Sequence, residues 1–319
     1  MLRIPELEVL CPTSWEEAVE HLARHPQARV LAGGTDVLPA LKTGQVRANS
    51  LVSLSRLPGF AGIELSTAGL RLGAGTPLAE LARSPLVPTA LARAAGLVAG
   101  PQIRQAATLG GNLCLDTRCR YINQTDLYRQ ALGGCLKSHG SVCHVVAGGT
   151  SCVAALSADT VPVLLALDAE LELVGPAGGR RLALGELYNT DGRQHLNLKP
   201  GELLRSVHLP LPRPSTRVVY RKWRPRNSLD FPLVSLALRL DLDPPRLADG
   251  RLVVGVLGPR PRVLSLSRLA GRALDRELAD AIGRLAGGCR PLPNVPYDEV
   301  YRRHRLEVEA RRAALELMS

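Results

Sequence analysis

Apolar positions recur along this chain with two different periods, and the change of period marks out its elements. Trp15, Ala18, Val19 and Leu22 fall at helical spacing, and Ser14-Trp15-Glu16-Glu17 makes a capping box at their start. Residues 28–31 and 50–53 are short apolar runs of strand length, and a helix between them ends near Lys42, closed by Gly44. This opening reads as a βαβ-like unit. Residues 62–65 and 69–72 pattern as two strands about a turn. A helix begins at Pro77, and an apolar helix covers about 89–98. Residues 113–157 have little periodicity. Regular patterning resumes at 161–173 and continues in short strands to about 211, where Leu209-Pro-Leu-Pro-Arg-Pro214 reads as a linker. Strands follow at about 218–223, 234–240 and 252–257, then helices at about 276–285 and 301–317. Strands and helices mix without a repeat, which predicts an α+β fold.

A chain of 319 residues suggests about two domains and buries a large core without metal or disulfide staples. No run approaches the ~20 apolar residues of a membrane span. Glu6 and Glu8 fall where a signal peptide would be basic and then apolar, so a reducing cytoplasm is the expected compartment. The net charge of +11 invites a nucleic-acid reading. Aromatic residues are only 3%, however, which leaves few stacking platforms for bases. Only Lys42, Lys137, Lys199 and Lys222 among the basic residues are lysines, and the arginines are spread along the chain. Solvated arginine faces account for most of the charge, with a share available to cofactor phosphates or an acidic partner.

Two glycine loops carry candidate chemistry. Ala32-Gly33-Gly34-Thr35-Asp36 follows a strand, where glycines let backbone N–H groups turn toward one anion. A tight turn is the alternative. Thr108-Leu109-Gly110-Gly111-Asn112 has similar composition, and the two together suit one diphosphate. Gly73-Ala74-Gly75-Thr76-Pro77-Leu78 begins like a Rossmann fingerprint, but Leu78 stands where that motif needs Gly or Ala. There is no Walker A sequence. Five of the seven cysteines, Cys114, Cys119, Cys135, Cys143 and Cys152, crowd into 39 residues. In a reducing compartment such thiols read as ligands of iron–sulfur or zinc, or as buried structural thiols. Cys11 and Cys289 stand apart.

The two glycine loops, Gln102-Ile103-Arg104, Ala158-Asp159 with its apolar run, and Tyr220-Arg-Lys222-Trp-Arg224 resemble the FAD-binding subunits of the xanthine dehydrogenase (molybdenum hydroxylase) family. The resemblance covers nearly the whole chain. Ordinary members pass quickly from the second glycine loop to the Ala-Asp pair, whereas 46 residues separate Asn112 from Asp159 here. That longer segment resembles the beta-subunit branch of 4-hydroxybenzoyl-CoA reductases, with cysteine steps of 16, 8 and 9 residues.

The resemblance implies a two-lobed vanillyl-alcohol-oxidase (PCMH) type FAD domain over 1–213, with lobes of about 1–56 and 57–213. It implies a cysteine-rich insert at about 113–157 and a small α+β domain of the CO dehydrogenase flavoprotein C-terminal type over 214–319. FAD contacts are implied at Ala32, Gly33, Gly34, Thr35, Asp36, Thr108, Gly110, Gly111, Asn112, Asp159 and Lys222. N–H groups of both loops would face the diphosphate, and Asp159 would lie near the adenosine end, or else cap the helix after it. Cys119, Cys135, Cys143 and Cys152 would hold a 4Fe–4S cluster, with Cys114 the nearby rival. Arg118, Arg120, Asn123, Gln124, Arg129, Lys137 and His144 would serve as donors around it, or as ordinary loop polarity.

The implied role is electron transfer in an anaerobic, aromatic-degrading oxidoreductase, without a catalytic residue on this chain. Ferredoxin would supply electrons. A large subunit would carry the molybdenum cofactor and a small one 2Fe–2S clusters, in a dimer of heterotrimers. No nucleic acid or membrane is expected. Alternatives are another molybdenum hydroxylase, acting on an aldehyde or heterocycle, and a zinc-stapled basic nucleic-acid-binding protein.

Overall fold

The short apolar runs at the start of the chain pair in parallel. In the computed structural model, which describes residues 3, 4 and 6–318, β1 (Glu8–Leu10) and β2 (Arg29–Leu31) flank β3 (Ser50–Ser53). Parallel neighbours need crossovers. α1 (Trp15–Arg24) and α2 (Val37–Lys42) provide them. The Ser14 hydroxyl accepts the Glu17 N–H at 3.1 Å, and Glu17 reaches back to the N–H of Thr13 at 2.9 Å, one residue beyond the usual capping box.

A second, antiparallel sheet has the order β4-β5-β8-β6-β7. Its strands are β4 (Ile63–Ser66), β5 (Gly69–Gly73), β6 (Glu170–Gly175), β7 (Gly178–Ala183) and β8 (Leu203–Leu209). Between β5 and β6 run α3 (Leu78–Leu81), α4 (Thr89–Gly96), α5 (Pro101–Ala106), α6 (Leu109–Leu113), α7 (Asp126–Ala131) and α8 (Thr160–Ala166). One continuous core, including Trp15, Leu72, Leu91, Leu164 and Leu209, joins the first two sheets.

The third sheet is antiparallel and follows the proline-rich connection. Its strands are β9 (Thr216–Trp223), β10 (Val234–Asp243), β11 (Arg246–Gly255) and β12 (Arg262–Ser265). β12 is a four-residue edge strand with mostly exposed side chains, so it has no hydrophobic alternation to reveal it. α9 (Arg276–Gly287) and α10 (Glu299–Met318) cover one face of this sheet, where Leu236, Leu238 and Leu240 meet Ile282, Leu306 and Ala310. Tyr220, Ala237 and Val253 join the first core on the other face, against α8. β10 is buried on both faces, and its run of apolar residues follows from that. The architecture is mixed α+β, as expected. Among the described residues no helix is long and apolar enough to cross a membrane.

Candidate functional site

The first glycine loop leaves β2 and enters α2. Gly34 has φ +72°, a conformation open to glycine at little cost. A Cβ on Gly33 would stand 1.8 Å from the Ala106 carbonyl oxygen, so the loop lies directly on the chain that leads into the second one. Two segments remote in sequence therefore meet at one glycine. The N–H groups of Gly33, Gly34, Thr35 and Asp36 donate to no acceptor among the described residues. That is the arrangement an anion nest requires.

The second loop is built differently. Thr108 caps α6, its hydroxyl accepting the Gly111 N–H at 3.0 Å. The N–H groups of Leu109 and Gly110 go to the carbonyls of Thr76 and Ala74 at 3.0 and 2.7 Å, and that of Asn112 to Thr108 at 3.0 Å. The expectation that N–H groups of both loops face a diphosphate is corrected here, because those of residues 109–112 are already engaged. The Thr108 hydroxyl keeps its own proton for another acceptor. Gly110 is required because a Cβ would stand 2.9 Å from that of Ala74. The Gly73-to-Leu78 stretch thus serves as the shelf beneath the second loop. Asn112 also serves the frame: its buried amide oxygen accepts the Thr160 N–H at 3.2 Å and hydroxyl at 2.7 Å, fastening α6 to α8.

Asp159 stands at the N-cap position of α8, but its side chain caps nothing. Its carboxylate accepts the Tyr220 hydroxyl at 2.5 Å and the Lys222 ammonium at 2.9 Å. Lys222 also donates to the Leu97 carbonyl at 2.9 Å. The side chains of Asp159 and Lys222 are 4% and 1% exposed. Burial raises the Asp159 carboxyl and lowers the Lys222 ammonium, each opposed by the other's charge. Asp159 and Lys222 thus neutralise each other and tie α8 to β9. Tyr220 was visible in the motif, but nothing in its spacing marked it as the partner of Asp159.

The cysteines divide cleanly. Cys119, Cys135, Cys143 and Cys152 line one cavity together with Tyr121, Lys137 and His144. Cys114 lies outside it, packed against the main core, where burial pushes its thiol up to about 12. All seven thiols are free. The cavity's free volume is about 20 Å³, room for roughly one water, and its four thiols stand on irregular backbone outside helices and strands. Among the described residues no three His, Cys, Asp or Glu side chains converge enough to share a single metal ion. A lone zinc needs every thiolate at about 2.3 Å from one atom. A 4Fe–4S cluster spreads its four thiolates over four irons, a demand closer to a shared cavity wall, but the cavity would have to open well beyond one water's volume to admit it.

Donors surround these sulfurs. The backbone N–H groups of Tyr121 and Ile122 favour the Cys119 thiolate, against the burial that pushes its thiol up to about 11. Burial also raises Cys152, against the N–H of Ala154 and the charge of Lys137. The Ser138 hydroxyl lies 3.7 Å from the Cys135 sulfur, and Asn123 receives the Cys119 N–H at 2.9 Å. Sequence reasoning missed Asp191 and Gly192. Asp191, held down to about 2 by its hydrogen bond from Arg193, accepts the Cys152 N–H at 3.2 Å. A Cβ on Gly192 would stand 3.0 Å from the Cys152 sulfur. A turn-rich Asp-Gly pair was the available signal, and its distance in sequence hid its use. Arg129 is buried and binds the first lobe, donating to the carbonyls of Gln124 at 2.6 Å and of Thr43 and Gly44 at 3.4 Å. The insert is therefore seated on the far end of the helix that the first glycine loop begins.

A loop of unpartnered N–H groups packed against a second glycine loop, in an α+β frame without a Rossmann turn, suits a bound anion such as a dinucleotide's diphosphate. The family described as the FAD binding domain in molybdopterin dehydrogenase matches residues 5–212. The chain is 35% identical over 258 residues to the aldehyde oxidoreductase FAD-binding subunit of Escherichia coli (strain K12), covering 77% of this chain and 79% of the relative. It is 31% identical over 251 residues to the xanthine dehydrogenase FAD-binding subunit of Escherichia coli O157:H7, covering 77% and 72%. A carbon monoxide dehydrogenase structure from Hydrogenophaga pseudoflava superposes with a TM-score of 0.78 at 22% identity, over 99% of this chain and 98% of that one. The chain belongs to the FAD-binding subunit family of the molybdenum hydroxylases.

Proposed function

We propose that this chain is the electron-transfer subunit of a molybdenum enzyme of the 4-hydroxybenzoyl-CoA reductase type, holding both FAD and a 4Fe–4S cluster. The observation that carries this reading is the single cavity shared by Cys119, Cys135, Cys143 and Cys152, with Cys114 outside it. In this reading the loop at Ala32, Gly33, Gly34, Thr35 and Asp36, with the Thr108 hydroxyl, holds FAD, and Gly110 and Gly111 shape the support beneath. When bound, the cluster would exchange single electrons and the flavin one or two.

The chain's own residues hold and screen these groups. Free N–H groups at residues 33–36 receive diphosphate charge. Donors from Tyr121, Ile122, Ala154 and Ser138 stabilise thiolate charge. Arg129 and Asn123 join the insert to the turn after α2. The molybdenum cofactor belongs to a large partner subunit and 2Fe–2S clusters to a small one, in a cytoplasmic dimer of heterotrimers. Reduced ferredoxin supplies the electrons that remove the phenolic hydroxyl on the large subunit.

Anaerobic purification tests the reading. Flavin bands with a broad sulfide-to-iron shoulder, and about four irons per chain, are expected. Cys135→Ser should remove iron and leave FAD in place. Full flavin with iron near zero would refute the cluster. The second reading, an FAD subunit for an aldehyde or heterocycle hydroxylase, would then stand, favoured by the 35% identity to an aldehyde oxidoreductase subunit. Zinc without yellow colour, and salt-dependent nucleic-acid binding, would restore the zinc-stapled alternative. Dehydroxylation of 4-hydroxybenzoyl-CoA by the reconstituted complex tests the substrate.

A further inference from the structure

The cavity wall that carries Cys119 and Cys152 is bound to the frame. Arg118 exchanges backbone hydrogen bonds with Ala155 at 2.8 and 2.7 Å. Asn294, buried between α9 and α10, accepts the Arg120 N–H at its carbonyl at 2.7 Å, and its side-chain amide donates to the Val153 carbonyl at 2.7 Å. The facing wall, which carries Cys135 and Cys143, is bound far less. No apolar residue from 130 to 151 is buried, and none belongs to a hydrophobic core. Among the described residues, backbone hydrogen bonds of 133–149 reach only partners within that loop or at the end of α7.

Lys137 is the exception. Its side chain is 9% exposed. Its ammonium donates to the Asp116 carboxylate and the Thr117 hydroxyl, each at 2.5 Å, and to the Gly192 carbonyl at 2.6 Å. All three of its protons are thereby used. The acceptors stand behind the bound wall: residues 116 and 117 lead into Cys119, and a Cβ on Gly192 would stand 3.0 Å from the Cys152 sulfur. The side chains of Ser138 and His144 bond within the loop, to Cys135 and Gly134. We propose that Lys137 is the positioning residue of the four-cysteine cavity, a latch whose ammonium holds the loop at 133–149, and with it Cys135 and Cys143, against Cys119 and Cys152. The proposal deepens the cluster reading and rests on it only for what the cavity admits.

The closed cavity has room for roughly one water. A metal cluster therefore enters only once the loop has swung out. Gly133 and Gly148 stand near its two ends with φ of +71° and +70°, and a Cβ on either would meet nothing within 4 Å. Neighbouring atoms thus offer no obstacle to rotation at these joints. The Tyr121–His144 ring contact, with centroids 5.1 Å apart, also crosses the gap. It is individually weaker than hydrogen bonds to a charged group. Resistance to opening is therefore concentrated at Lys137.

Alkylation of the reduced, metal-free chain with N-ethylmaleimide, followed cysteine by cysteine by peptide mass spectrometry, tests the assignment. A protected thiol reacts in proportion to its open population. Lys137→Met should speed Cys135 and Cys143 by roughly 10- to 100-fold, the range for hydrogen bonds to a charged group. Cys114 and Cys289 should keep their rates. Loss of a nearby cation by itself would slow a thiol, because the thiolate is the reacting form. Faster reaction therefore reports release of the loop. Thr117→Val removes one acceptor and should give a smaller rise in the same two thiols; it carries the test if Lys137→Met does not fold. Rates at Cys135 and Cys143 within twofold of the unaltered protein overturn the proposal, as does a rise shared equally by Cys114 and Cys289. Iron near zero after anaerobic reconstitution of the unaltered protein would instead overturn the cluster reading and leave the thiol rates to decide the role of Lys137.

Discussion

Lys222→Met keeps an apolar stem and deletes the ammonium that faces Asp159. The Asp159 carboxylate, 4% exposed, then retains the Tyr220 hydroxyl but has no counter-charge. Breaking a buried pair from one side costs about 3–5 kcal/mol. In a domain of about 150–250 residues each kcal/mol moves the thermal midpoint by about 2–4 °C, so a fall of roughly 10 °C is expected. The double variant Asp159→Asn with Lys222→Met removes both charges and should recover most of the loss. The pH dependence has a definite sign. Burial already raises the Asp159 carboxyl, and losing Lys222 raises it further. A carboxyl raised on folding contributes stability that is complete below its unfolded value of about 3.9 and is lost as pH rises through the folded value. The deficit of Lys222→Met should therefore shrink as the pH is lowered from neutral. Scanning calorimetry across a pH series measures this, and fluorescence of Trp223, next to the substitution, reports the β9 side. A midpoint within about 3 °C of the unaltered protein at neutral pH, or a double variant no better than the single, would refute the reasoning.

Gly33→Ala should reduce FAD retention at least about tenfold, read from the flavin-to-protein ratio, because the new methyl would collide with the backbone of Ala106 and part the two loops. Cys114→Ser should leave iron content unchanged, in contrast to Cys135→Ser, since only the latter removes a thiol from the cavity wall. Gly192→Ala should lower iron occupancy or alter the cluster's spectrum, because its methyl would press on the Cys152 sulfur. Its FAD content should be unaffected.

Much was already present in the chain's one-dimensional pattern. Helical spacing from Trp15, the apolar runs at 28–31 and 50–53, and the long helices near the end are local signals, and each became an element close to where it was read. The glycine loops announced a flavin-type domain because a motif is itself a local sequence. The crowding of cysteines singled out the insert in the same way. Side-chain partnerships were settled only by tertiary structure, because they form between residues far apart in the chain. Gly33 meets Ala106, Asp159 meets Lys222, and Gly192 meets Cys152 only after the sheets have stacked. The second glycine loop looked like a phosphate cradle until its N–H groups were found bonded to Ala74, Thr76 and Thr108. Asp159 and Lys222 are offered separately by the sequence, and burial brings them together as an ion pair. Composition and spacing determine which groups are offered, whereas burial and backbone hydrogen bonding decide which remain free to bind.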